Sequence, residues 1–299
     1  MDPETKRKLR RFAAHVSAFV LLVVLCGVGL LYLRRHVETK LAFPAQPPKV
    51  VLKNRPVWMT DLLANQIINL AQPLVSHSSF DRQMLQDTYA VLKSNPWIKE
   101  IRGVRRVYGT KPGDTLEIDC DYRAPIALVR WGEYYWLVDG EGVKLPEQFA
   151  PRQVPRIVVG RDRKTNIRMV EGVKQPPPES GKKWTGQDLA AALEMVKTLY
   201  GLPYAEEIAT VDVHNFAGRR DPKEAQIVLV TKYGTEVRWG QPLSAEDFFS
   251  EESPATKLAY MKTIFDEYKR VDGNHRWIDI RFGQPTYPSG EGPTAVVNP

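Results

Sequence analysis

The sequence predicts an α+β protein. An N-terminal transmembrane helix comes first, then a β-α-α-β-β unit, then a mostly antiparallel β domain with two helices. Three observations predict this. One uncharged apolar stretch near the N-terminus is long enough to cross a bilayer. Two stripes at helical spacing stand between the first and second of three strand patterns. After Pro125 the apolar period falls to two and mostly stays there, interrupted by two more helical stripes.

The apolar stretch is AAHVSAFVLLVVLCGVGLLYL, residues 13–33, with 21 residues and no Asp, Glu, Lys or Arg. At about 1.5 Å per residue a helix of it spans roughly 30 Å, the thickness of a bilayer's hydrocarbon core. A cleaved signal peptide would have an apolar core of about 7–15 residues followed by small residues at a cleavage site. Here Arg34 and Arg35 follow directly, so an uncleaved anchor in the lipid bilayer is expected.

The charges agree. The chain carries a net +7, and most of it flanks this segment. Lys6, Arg7, Lys8, Arg10 and Arg11 stand against Asp2 and Glu4 before it, and Arg34, Arg35 and Lys40 against Glu38 after it. Residues 41–299 keep only +2. That suits a membrane surface and argues against nucleic acid as a partner. The excess before the segment predicts a cytoplasmic tail at 1–12, with everything after the helix outside the cytoplasm. Cys26 lies in the membrane helix and Cys120 beyond it, so no disulfide between them is expected.

A Pro-rich linker occupies 34–48, ending in LAFPAQPP. The β-α-α-β-β unit is expected over 49–124. KVVLKN (49–54) is its first strand. Thr60-Asp61 caps a helix bearing Leu62, Leu63, Ile67, Ile68 and Leu70. Ser78-Ser79 caps a second with Phe80, Met84, Leu85, Thr88, Tyr89, Val91 and Leu92, ended by Pro96. GVRRVYG (103–109) and TLEIDCDY (115–122) are strands joined by a KPGD turn. In the second strand Leu116, Ile118, Cys120 and Tyr122 share one face.

The β domain is expected over 125–284. IALVRW, YYWLVD and VKL are its first strands, the last two joined through the Asp139–Gly142 turn. RIVVG (156–160) is another strand, and 173–183, with three consecutive prolines, is a solvated loop. A helix runs from Gln187 to about Tyr200 on a stripe of Leu189, Leu193, Val196 and Leu199. IATVDVH, AQIVLVTK and GTEVRW are three antiparallel strands. A last helix spans 257–268, RWIDIRF (276–282) closes the domain, and 285–299 is a flexible tail.

In this order the chain resembles the FtsQ/DivIB family of bacterial cell-division proteins, over roughly residues 6–283. A short basic tail precedes one membrane span, and the β-α-α-β-β unit is similar to that family's POTRA domain. Pro96, Trp97, Leu116, Ile118, Arg123 and Pro125 match its helix, Pro-Trp, strand and charged-residue-Pro pattern. Asp139 and Gly142 match its next hairpin. Lys257, Leu258, Asp279, Arg281 and Phe282 match its last helix and strand. Phe282 replaces the usual tyrosine, Gly283, Gln284 and Pro285 replace residues that continue the strand, and Pro176–Pro178 looks like an insertion.

The resemblance implies a non-enzymatic divisome assembly and regulatory protein of the inner membrane, enriched at the division septum. Its POTRA-like unit would help recruit it among other divisome membrane proteins. Its β domain would bind FtsB/FtsL-type partners through the C-terminal strand edge, and so help control septal peptidoglycan synthesis. The physical means is β-augmentation, in which a partner segment pairs with the free backbone groups of an edge strand. Trp277, Asp279, Arg281, Phe282 and Gly283 are the candidate partner-binding residues. Trp277, Asp279 and Arg281 share one parity, and Ile278, Ile280 and Phe282 the other, so one set faces the core. Pro285 and Pro288 lack N–H groups, which ends the usable edge near Phe282–Gly283.

Catalytic patterns were weighed against this reading. Asp119 and Asp121 form a carboxylate pair on a strand face, a solvated face on an alternating strand. His214 has no nucleophile motif beside it, and the five histidines show no metal-ligand spacing. The Gly140–Gly142 segment is a hairpin turn and lacks the rest of a phosphate loop. Trp131, Tyr134, Tyr135 and Trp136 are candidates for a sugar platform, or for core and interface positions. No enzyme activity, cofactor, metal or small-molecule substrate is therefore expected. Two alternatives remain, a POTRA-bearing envelope transport or secretion component and a membrane-anchored cell-wall enzyme.

Overall fold

The computed structural model of this 299-residue chain describes residues 3–40, 47–73, 82–107, 115–153, 156–159, 163–245 and 250–288. The protein is α+β, with an apolar N-terminal helix, five α-helices among the described residues, and a large mixed sheet. The chain divides into two compact units. One comprises Met1–Lys53, Gln66–Leu92 and Gly103–Asp119, the other Asn54–Asn65, Lys93–Arg102 and Cys120–Pro299.

Helix α1 (Pro3–Lys40) contains the expected apolar segment. Its stretch Ala14–His36 has mean hydropathy 2.7 and is long and apolar enough to span a membrane. Its apolar side chains, among them Leu21, Leu25 and Leu31, are exposed.

Elements then follow in the order β1 (Lys49–Lys53), α2 (Asp61–Ala71), α3 (Arg82–Lys93), β2 (Ile98–Val107) and β3 (Thr115–Tyr122). The sheet order is β1-β3-β2, with β1 parallel to β3 and Val50 opposite Leu116. Within the first unit Val50, Ile67, Met84, Leu92, Leu116 and Ile118 are buried, each from the apolar parity or stripe expected of it. Thr60 caps α2 as expected, its Oγ1 accepting from the Leu63 N–H at 3.3 Å. β2 begins five residues before the expected Gly103. The Asn95 side chain accepts from the Trp97 N–H at 2.9 Å and the Asn95 carbonyl from the Ile98 N–H at 3.0 Å, so the turn after α3 launches the strand at once. The Ser78-Ser79 cap, Phe80, the end of the 103–109 strand and the KPGD turn lie outside the described residues.

The second unit is built on an eight-stranded sheet, ordered β13-β12-β11-β10-β9-β4-β5-β6. The strands are β4 (Pro125–Trp131), β5 (Tyr134–Asp139), β6 (Lys144–Phe149), β9 (Arg168–Glu171), β10 (Ile208–Asp212), β11 (Ile227–Thr231), β12 (Glu236–Gly240) and β13 (Trp277–Asp279). A separate hairpin pairs β7 (Arg156–Val159) with β8 (Arg163–Asn166). The expectation of mostly antiparallel pairing holds for four of the seven pairs, while β4–β9, β9–β10 and β12–β13 are parallel. Two of these parallel pairs come from the two helices. α4 (Gln187–Thr198) connects β9 to β10, and α5 (Pro254–Tyr268) connects β12 to β13. A crossover helix between sheet neighbours returns the chain in the same direction.

The core packs one sheet face with α4 and α5. Val129, Val170, Val211, Leu229, Val237 and Ile278 meet Leu189, Leu193, Val196, Leu199, Met261 and Ile264 in one buried cluster. α4 presents the expected stripe. α5 starts at Pro254, three residues before the expected 257, because Ser253 caps it, its Oγ accepting from the Thr256 N–H at 3.2 Å. The Asp139 turn is also as expected. Asp139 Oδ1 accepts from the Glu141 and Val143 N–H groups, both at 2.8 Å, while Arg123 reaches Oδ2 at 2.7 Å. The 173–183 loop is less solvated than expected. Val173 is buried, as is Trp184 just past the loop, the Gly181 N–H donates to the Lys144 carbonyl at 2.8 Å, and the Lys144 N–H to that of Lys182 at 3.0 Å.

Candidate functional site: the last strand of the sheet

β13 is an edge strand, parallel to β12 with Glu236 opposite Trp277 and Arg238 opposite Asp279. The Glu236 N–H donates to the Arg276 carbonyl at 3.4 Å, and the Ile280 N–H to the Arg238 carbonyl at 3.3 Å. Even-numbered backbone groups therefore point at β12, and those of Trp277 and Asp279 point to the outer edge. The Trp277 N–H and C=O have no backbone partner among the described residues.

The expected strand over 276–282 is shortened to three residues. Ile278 and Ile280 are fully buried, as one of the two expected parities requires. The alternation then fails, because the chain leaves the sheet and reverses through Gly283 at φ 57. Phe282, of the same parity, is 47% exposed. Residues 285–288 do not run loose, as a tail from 285 would. The Asp279 N–H donates to the Thr286 carbonyl at 3.0 Å, and the Thr286 N–H to the Asp279 carbonyl at 2.9 Å.

Arg281 faces the fold. It is 8% exposed. Its Nε and Nη2 bond Asp279, the latter at 2.7 Å, and its Nη1 donates to the Lys223 carbonyl at 2.8 Å. Hydrogen bonding to Asp279 outweighs burial and pushes the guanidinium further above its ordinary value. Arg281 thus holds the chain reversal in place, and the outward candidates are Trp277, Phe282 and Gly283. The Trp277 ring is half-buried, with the Arg238 guanidinium carbon 4.6 Å from its centroid.

Two polar clusters fix this strand. Lys257 is fully buried, and its ammonium meets Glu251 Oε2 at 2.6 Å. The same oxygen accepts from the Gln241 N–H at 3.0 Å. Burial pushes the Lys257 amine below its ordinary value, although Glu251 opposes the shift. The next residue, Glu252, donates its N–H to the Arg281 carbonyl at 2.6 Å. Lys257 and the Asp279–Arg281 pair, well separated in sequence, are linked through this short segment. Gly240 makes room for it: at φ 99, a Cβ there would lie 2.0 Å from Glu251 Oε2.

The second cluster sits in the loop that leads into β13. Asp272, fully buried, accepts from Arg270 at 2.7 Å and from Thr235 Oγ1 at 3.0 Å. Burial pushes this carboxyl up, but the Arg270, Asn274 and Thr235 donors together hold it below its ordinary value. The neighbouring His275 is buried, its Nδ1 has no hydrogen-bond partner among the described residues, and its ring lies 4.2 Å from that of Tyr287. Burial raises the Tyr287 phenol above its ordinary value, and the charge of Glu267 adds to this.

Other candidates are dispersed. Asp119 pairs with Lys53 at 3.2 Å and Asp121 with Arg102 at 2.7 Å. His214 Nδ1 lies 2.8 Å from Asp212. Trp131 and Tyr134 are exposed at the end of the β4–β5 hairpin, but Tyr135 is buried and Trp136 lies under the Lys144 ammonium, so the four do not form one platform. A cavity of about 720 Å³ that sequence reasoning missed lies beside the start of α4, lined by Glu141, Lys183, Trp184, Leu189, Leu193 and Lys197 among others. No group of three or more His, Cys, Asp or Glu side chains able to hold a metal occurs among the described residues. Cys26 and Cys120 are not joined in a disulfide.

A scan against protein-family models finds no match, and a search of curated proteins finds none either.

Proposed function

We propose that this chain is a non-enzymatic, single-pass membrane protein of the FtsQ/DivIB type. It works by binding division partners and helps control septal peptidoglycan synthesis. α1 anchors it in the inner membrane with the N-terminus cytoplasmic. The β1-α2-α3-β2-β3 segment serves as a POTRA-like recruitment unit, and the eight-stranded sheet receives an FtsB/FtsL-type segment along β13. One observation carries this reading: β13 is an edge strand whose Trp277 backbone groups point outward, beside the exposed Phe282.

The test is binding between the full-length protein and an FtsB-type partner. Phe282→Asp leaves the fold intact, because the ring is exposed, and places a charge at the proposed contact. Binding is expected to weaken at least about tenfold, the scale of an aromatic anchor at an interface. A folded Phe282→Asp protein that binds at full strength refutes the proposal. Cell depletion gives the second arm: loss of septation and a septal fluorescent signal are expected, and diffuse signal with normal septation overturns the reading.

A further inference from the structure

We infer that the segment Gly283–Tyr287 is an internal occupant of the β13 edge, a latch that must lift before any partner strand can pair there. The inference rests on the partner-edge reading and adds a regulatory step to it.

The outward backbone groups of β13 are the Trp277 pair and the Asp279 pair. The chain itself takes the second. Thr286 exchanges both hydrogen bonds with Asp279, at 3.0 and 2.9 Å, in antiparallel sense. That is the pairing an added strand would make, performed by one residue. The segment cannot extend it, since Pro285 and Pro288 bracket Thr286 and Tyr287 without N–H groups. Two features position the latch. Arg281, clamped on Asp279 and the Lys223 carbonyl, and Gly283 at φ 57 set the reversal. The Tyr287 ring then packs against buried His275 at 4.2 Å, beyond the start of β13. The latch is short: among the described residues one residue pair bonds it to β13, and the half-buried Tyr287 packs against His275 and the margin of the core cluster, which suits an element that opens. A partner strand in full register must displace Thr286, and the affinity it shows is lowered by the fraction of time the latch is closed.

The test uses the full-length chain in nanodiscs. Tyr287→Ala removes the ring contact, and Thr286→Pro removes the N–H that donates to Asp279. Hydrogen exchange reads the latch without any partner. The Asp279 amide is expected to be protected in the parent protein and to exchange about tenfold faster in either variant, the change expected if the closed state outweighs the open one by that factor. Binding of an FtsB-type partner fragment reads the consequence, and both variants are expected to bind about tenfold more tightly. An unprotected Asp279 amide in the parent overturns the latch. So does unchanged or weaker partner binding by variants whose Asp279 amide has been freed, provided Phe282→Asp still reduces binding. If Phe282→Asp and the latch variants all leave binding unchanged, the partner-edge reading fails, and with it the regulatory role, although the protection of Asp279 stands.

Discussion

Replacing Lys257 with methionine is expected to destabilise the sheet unit strongly. Methionine keeps the length and apolar stem, so packing against Trp239, whose ring centroid lies 5.3 Å from the ammonium, is largely kept. What is lost is the charge. Lys257 is fully buried and meets Glu251 at 2.6 Å, and among the described residues Glu251 also accepts from the Gln241 N–H at 3.0 Å. Removing one partner of a buried ion pair strands the other, at about 3–5 kcal/mol. For a unit of this size that lowers the melting temperature by about 6–20 °C. The assay is thermal unfolding of the full-length protein in detergent, followed by tryptophan fluorescence. The double variant Lys257→Met/Glu251→Gln removes the stranded carboxylate and is expected to recover at least about half of the loss. A loss below about 1 kcal/mol, or a double variant no better than the single, refutes the argument that the pair acts as a unit.

Asp272→Asn gives a pH signature of definite sign. The Asp272 carboxyl is held below its ordinary value in the fold, so its contribution is present above the unfolded value and is lost as pH falls through the folded one. The variant is expected to lose about 1–3 kcal/mol at pH 7, with the two unfolding curves converging once pH falls below the ordinary aspartate range. A constant gap across that range contradicts it. Leu25→Arg, in the exposed middle of α1, is expected to raise the cost of insertion by about 2.5–3.5 kcal/mol and to increase the fraction extracted by alkaline carbonate. Extraction unchanged by the substitution contradicts the membrane assignment.

Much of the fold is legible where one-dimensional pattern and burial coincide. The alternation of TLEIDCDY became β3 with Leu116, Ile118 and Cys120 buried. The Leu189, Leu193, Val196, Leu199 stripe became the buried face of α4. β9 was missed. RMVE has one buried residue, Val170, and lies at the sheet centre only because β4 and β10 supply its hydrogen bonds from distant sequence. The same reason hides the parallel pairs, since strand direction is set by tertiary connection rather than local period. At the candidate site, Ile278 and Ile280 were readable as one face. The inward turn of Arg281 was not, because its partners are Asp279 and the backbone of Lys223, which no spacing rule connects. Pro285 and Pro288 did signal that the strand edge is short, but not that Thr286 comes back to cover it.

The order of strands across the large sheet has a consequence for how the molecule is made. β13 is last in sequence among the described strands and also outermost, next to β12, and reaches its place only after α5 has crossed the core. During vectorial synthesis earlier strands emerge first, and β4 through β12 can pair while β13 is still to come. Through that interval β12 is the exposed margin, carrying Glu236 and Arg238 on its outward-facing positions, charges of the kind that discourage wrong strand pairing. The β13 edge therefore comes into existence only when folding of this unit is complete. If that edge is the partner site proposed above, a nascent or partly folded copy would not yet have it, and assembly would draw on finished molecules alone.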